Sequence, residues 1–157
     1  MRIPLLFLAA LLASCSKAPP KEPAAPATPA APLSLFERLA KEGEARDRAD
    51  PPTSKVIAAL TAAGLTLGEQ RPQSAAALGA DFCVMLDATE HVTMSICEFS
   101  SPQRASAGAE TSRKALQQIA GRTVDVKRST MLAVIDSQAN EASAAVSQKA
   151  RAVFDAL

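Results

Sequence analysis

DFCVMLDATEHVTMSICEF, Asp81 to Phe99, is the stretch that decides the fold. Phe82, Val84, Leu86 and Ala88 alternate with polar or mixed neighbours, and beyond a short break Val92, Met94 and Ile96 alternate again. A period of two belongs to strands, whose successive side chains point to opposite sides. The segment therefore reads as a β-hairpin. With Thr89-Glu90-His91 as its loop, Val84 faces Ile96, Leu86 faces Met94 and Ala88 faces Val92. The same register sets Cys83 directly opposite Cys97 on the other face, where two Cα atoms come within bridging range. A structural disulfide is predicted between them, closing a loop of about 15 residues worth roughly 3 kcal/mol in the chain-entropy model. A redox pair is disfavoured by the long separation, since Cys-x-x-Cys is the usual arrangement. Two reduced, buried thiols are the remaining alternative.

Upstream of the hairpin, Ser34-Leu-Phe-Glu37 has the pattern of a capping box. It opens a helix that carries Leu35, Phe36 and Leu39 and then becomes highly charged through KEGEARDRAD. Asp50-Pro51-Pro52 ends this arm, because a residue before proline avoids the helical region. The arm is expected to touch the domain only through its first turn, its charge run facing water. A second helix fits Ser54 to Ala63, with Val56, Ile57 and Leu60 on one side and Gly64 as the stop. Leu65 to Pro72 suggests a short strand, and Ser74 to Leu78 a turn of helix.

Downstream, Ser101-Pro102 starts a helix whose stripe is Ala105, Ala109, Ser112, Leu116 and Ile119 and whose stop is Gly121. VDVKRSTMLAVID reads as a second hairpin; a loop around Ser129 would pair Val126 with Leu132 and Val124 with Val134. Asn140 to Leu157 completes the chain as a helix with Val146, Ala150, Val153, Phe154 and Leu157 on one stripe. The order α-β-β-β-α-β-β-α, with short loops, predicts an α+β fold: an antiparallel sheet of about five strands with helices packed on one face.

The amino-terminal residues obey another logic. Met1-Arg2 is a short cationic start, and Ile3 to Ala13 is an apolar run of eleven residues. That is the layout of a secretory signal, and the run falls short of the roughly 20 residues a membrane span needs. Leu12-Ala13-Ser14-Cys15 then resembles the lipobox of bacterial lipoproteins: aliphatic, small, small, cysteine. The resemblance implies a diacylglycerol on the Cys15 thiol, cleavage just before it and acylation of the new amino terminus, as with palmitate. Ser16, where the family uses aspartate for inner-membrane retention, implies the outer membrane, facing the periplasm. An exported chain also lives where disulfides persist. Ala18 to Pro32 holds six prolines in fifteen residues. Such a tract is a semi-rigid spacer of about 3.1 Å per residue, reaching on the order of 45 Å. The expected organisation is a signal over 1–14, the lipidated cysteine and linker over 15–33, the charged helical arm over 34–52 and the α+β domain over 53–157.

Composition narrows the function. One of the 17 basic residues, Arg2, lies in the signal, so 16 basic residues face 16 acidic ones. No concentrated basic patch points to nucleic acid, and tryptophan and tyrosine, which stack on bases and sugars, are absent. His91 is the only histidine and falls at a hairpin tip; with two bridged cysteines it does not supply a zinc ligand set. Asp81, Asp87, Glu90 and Glu98 cluster in the first hairpin. Paired carboxylates can do acid–base work, but turn and edge positions favour plain solvation. No Gly-x-Ser-x-Gly elbow, phosphate-binding loop or dinucleotide fingerprint occurs. No cofactor, metal or catalytic residue is assigned. The expectation is a membrane-anchored envelope lipoprotein with a non-enzymatic interaction or structural role, its partners the bilayer through Cys15 and an envelope protein. The second expectation is a periplasmic module that binds a small ligand on the sheet face opposite the helices, marked by a concave apolar patch around Met85.

Overall fold

The computed structural model describes residues 33–89, 91–115 and 117–157. The expected signal, Cys15 and most of the expected linker, together with Glu90 and Leu116, lie outside the described residues. Helix α1 (Leu35–Gly43) is followed by α2 (Thr53–Ala62), the two-residue strand β1 (Arg71–Pro72), a 3-10 turn at Ala76–Leu78, and strands β2 (Phe82–Asp87) and β3 (Val92–Glu98). Then come α3 (Pro102–Ala115), β4 (Arg122–Lys127), β5 (Thr130–Asp136) and α4 (Glu141–Ala156). The strands form one antiparallel sheet in the order β1-β2-β3-β5-β4. The α+β class and the element order are those the sequence predicts.

The central hairpin has the expected register: Val84 pairs with Ile96, Leu86 with Met94, and Cys83 with Cys97. The two cysteines form a disulfide, their Cα atoms 4.2 Å apart.

The second hairpin differs by one residue. Val126 pairs with Met131 and Val124 with Ala133, because the turn is only Arg128-Ser129, with Arg128 at φ 50°. Ser129 is no loop centre: its amide donates to the Asp50 carbonyl (3.0 Å) and its carbonyl accepts from the Phe99 amide (2.9 Å). In a sheet a slip of one residue turns every side chain to the other face. Val124 and Val126 therefore share a face with Met131, Ala133 and the disulfide, while Thr123 and Asp125 lie beside Leu132 and Val134.

For the same reason the helices do not share a face. On one side, α2 and α4 cover Phe82, Val84, Leu86, Val92, Met94, Ile96, Leu132 and Val134 with Val56, Leu60, Ala150 and Phe154. Phe154, Leu60 and Leu86 are fully buried there, each worth about 1.5–3 kcal/mol by burial of apolar surface. On the other side, α3 lays Ala105 and Ala109 over Cys83, Cys97, Val124, Met131 and Ala133. Its small residues allow a close approach. A Cβ on Gly108 would come within 2.5 Å of the Phe99 ring and 3.0 Å of the Leu78 carbonyl oxygen. The helix ends at Ala115, and Ile119 is in the connection, largely exposed, rather than on a helical stripe.

The arm packs in the reverse of the expected manner. Its capping box forms as predicted (Ser34 amide to Glu37 Oε2, 2.8 Å; Glu37 amide to Ser34 Oγ, 3.2 Å). Yet Leu35 and Phe36 in the first turn are exposed, Phe36 at 86%. The later residues hold on instead. Glu42 accepts the Ala75 amide (3.1 Å), Arg46 reaches Gln70 (2.7 Å) and lies over the Phe82 ring.

Glu98 anchors the segment between the arm and α2. Expected at a solvated edge, it is 1% exposed and accepts the amides of Arg48 (3.0 Å), Ala49 (3.3 Å) and Thr53 (2.6 Å). A carboxylate at the amino terminus of α2 meets unpaired N–H groups and the positive end of the helix dipole. Charge-assisted bonds of this kind are the stronger class.

Candidate functional site

On the α3 side the helix packs chiefly on β4 and β5 and meets β2 and β3 only at the disulfide. The 3-10 turn closes the space from the other side. Between them lies a cavity of about 200 Å³ lined chiefly by apolar side chains: Met85, Met131, Ala133, Ile135, Leu78 and Ala77. Thr93, Ser95, Gln73, Ser112 and Arg122 supply the polar groups. The disulfide lies beneath α3 in the same layer as this floor.

Each wall is held by identifiable bonds. The Gln73 amide donates to the Cys83 carbonyl (3.1 Å), and Ser95 Oγ donates to Gln73 Oε1, which ties the segment after β1 to the sheet. Gly79, at φ 66°, ends the 3-10 turn, and its carbonyl accepts from Arg104 of α3 (2.7 Å). Arg104 also contacts Asp81 (3.2 Å) and Ser100 (2.7 Å). The roof is thus clamped to the helix.

At the strand ends Asp87 accepts from Thr93 Oγ1 (2.9 Å) and pairs with Arg71 (2.6 Å). Asp81 and Asp87 therefore occupy ion pairs, Glu98 is enclosed by amides on the opposite face, and Glu90 lies outside the described residues. The carboxylates that the sequence groups together are not brought to one site. His91 sits where the hairpin turn meets β3, and its carbonyl accepts the Ser137 amide (2.9 Å). Among the described residues no three His, Cys, Asp or Glu side chains are grouped to hold a metal ion, and no helix is long and apolar enough to cross a membrane.

The basic residue at the cavity has no motif to announce it in the sequence. Arg122 opens β4, and its Nη2 donates to Ser112 Oγ of α3. Its Nε is buried with no hydrogen-bond partner. Burial, and the neighbouring Arg113 cation, hold the Arg122 guanidinium below its ordinary value. Arg113 itself donates to the Val124 carbonyl (2.7 Å). Both arginines line a second hollow of about 180 Å³ beside the cavity, with Gln117, Ile119 and Val124. The sequence does carry one signal. From Thr111 to Val124 it contains Arg113, Lys114 and Arg122 and no acidic residue.

No family model, curated protein or solved structure matches this chain.

Proposed function

We propose that this chain is a lipid-anchored envelope protein without catalytic activity, whose tethered domain binds a small ligand in the Met85 cavity. The observation that carries the binding role is the cavity itself, a concave and mainly apolar space of about 200 Å³ on a sheet face that α3 only partly covers. Ligand sites have this character, apolar walls with a few placed polar groups. At roughly 30 Å³ per water-sized volume, its capacity suits a compact molecule of about six to eight heavy atoms. The anchor rests on the residues around Cys15 and on their resemblance to a lipobox. Through the proline-rich spacer, the bilayer becomes the platform from which the domain works, at the outer membrane on its periplasmic side. An envelope protein partner that delivers or receives the ligand completes this reading.

Two measurements test it. Intact mass of protein from native membranes, alkylated without reduction, is expected to show cleavage before Cys15, added acyl chains and no alkylated thiol. A full-length, unlipidated species would overturn the anchor. Titration of the purified protein with 1-hexanol, a neutral probe of the right size, is expected to show saturable binding that Met85→Trp abolishes by filling the cavity. Equal binding by both proteins would overturn the assignment of the site.

A further inference from the structure

The cavity is apolar on one side and cationic at one end. Five ion pairs join arginines to aspartates among the described residues, those of Arg46, Arg71, Arg104, Arg128 and Arg151. Arg113 and Arg122 take part in none of them. Asp125, the carboxylate of the same strand, points to the other face of the sheet and is engaged by Arg151 (2.7 and 3.0 Å). The two guanidinium groups line one hollow and form no ion pair among the described residues, and one of them is partly buried with an unpaired, enclosed Nε. Leaving a buried donor unpaired and setting like charges together both cost stability. An anion offered to this pair would relieve the second. Guanidinium forks suit carboxylate and phosphate oxygens, which they bind in bidentate fashion.

We propose that the cavity receives a small amphiphilic anion, its apolar body seated on Met85, Met131 and Ile135 and its carboxylate or phosphate head held by Arg122 with Arg113 beside it. This rests on the reading of the cavity as the ligand site and adds the chemical class of the ligand. Arg122 is the residue shared by the apolar cavity and the hollow next to it, so it stands where the two halves of such a molecule meet. The hydroxyls of Thr93 and Ser95 lie in the cavity lining toward β2 and β3.

The four methionines make the test direct: Met1 lies in the signal, Met85 and Met131 line the cavity, and Met94 is buried on the opposite face. Full-length protein carrying 13C-methyl methionine is titrated with hexanoate, hexyl phosphate and 1-hexanol and followed by methyl NMR. The anions are expected to shift the Met85 and Met131 signals saturably, leave Met94 in place, and bind at least tenfold more tightly than 1-hexanol. The tighter of the two anions identifies the head group. Arg122→Gln is expected to remove that tenfold advantage of the anions over 1-hexanol. Arg113→Gln, at an exposed position, is expected to reduce it severalfold, and an unmoved Met94 signal reports an intact core in either variant. If 1-hexanol binds as tightly as the anions, the anionic class is overturned and the cavity reading stands. If none of the three moves Met85 or Met131, both fall.

Discussion

The two faces of the sheet are built for different tasks. Beneath α2 and α4, alternate residues of three strands are large and apolar, and they meet Leu60 and Phe154 in a continuous buried layer. Beneath α3 the same strands present Cys83, Cys97, Ala133 and Ser95, and the covering helix contributes alanines and a glycine. Small residues let the helix come close but bury less apolar area per residue. The disulfide compensates in part, and where α3 ends the layer opens into the Met85 cavity. One face is a closed core and the other holds an open cavity.

Mutations separate these tasks, and the largest effect belongs to the closed face. Phe154→Ala is expected to destabilise by about 3–5 kcal/mol, the range for a truncated buried aromatic, read as a lowered urea midpoint with an unchanged slope. A loss under about 1 kcal/mol would mean that α4 is not part of the core. Next comes the bridge. The double substitution of Cys83 and Cys97 by alanine is expected to cost about 3 kcal/mol, the chain-entropy value for a loop of this length, in the same unfolding assay. No change on reduction would show that α3 holds the open face without it.

A smaller, pH-dependent effect belongs to Asp136, at the edge of the closed face. Burial pushes its carboxyl up, but hydrogen bonds from Ser143, Ala139 and Gln138 and the charge of His91 prevail and hold it below its ordinary value. A carboxyl depressed in the folded state stabilises above its unfolded value of about 3.9. That contribution is lost as the pH falls through the lower, folded value. Stability curves between about pH 7 and 2 are expected to fall less steeply below about pH 4 in Asp136→Asn than in the wild type. An identical acid limb in both would remove Asp136 from the account. Smallest is the exposed Arg71–Asp87 pair at the rim of the open face. Asp87→Asn is expected to cost under about 1 kcal/mol, as exposed ion pairs do, and a larger loss would make the rim structural.

The first hairpin is legible in the sequence because two patterns, apolar alternation and opposed cysteines, agree on one register. The second hairpin carries only the apolar pattern. Matching valines to Leu132 and Val134 is satisfied by a register one residue away from the real one. The difference comes from the tight Arg128-Ser129 turn and from Ser129's bonds to Asp50 and Phe99, partners about 79 and 30 positions away. That slip hides which residues of β4 and β5 line the second face, and with them the helix that covers it. Glu98 reads as solvated for a similar reason: a buried carboxylate satisfied by backbone amides leaves no complementary residue type in the sequence. Met85 stands out because it alternates out of the apolar face. The arginine pair shows only as an acid-free run, since what sets Arg113 against Arg122 is the path of the chain around Gly121, at φ 70°.

The contrast between faces is tested most directly by two neighbours in β2. Met85 and Leu86 are adjacent in sequence and point to opposite sides of the sheet. Met85→Trp and Leu86→Trp are to be compared by urea denaturation. Leu86→Trp overpacks the closed face and is expected to lose about 1–3 kcal/mol or more, whereas Met85→Trp enters open space and is expected to stay within about 0.5 kcal/mol of the wild type. Equal losses at the two positions would contradict the division of the sheet into a closed face and an open one.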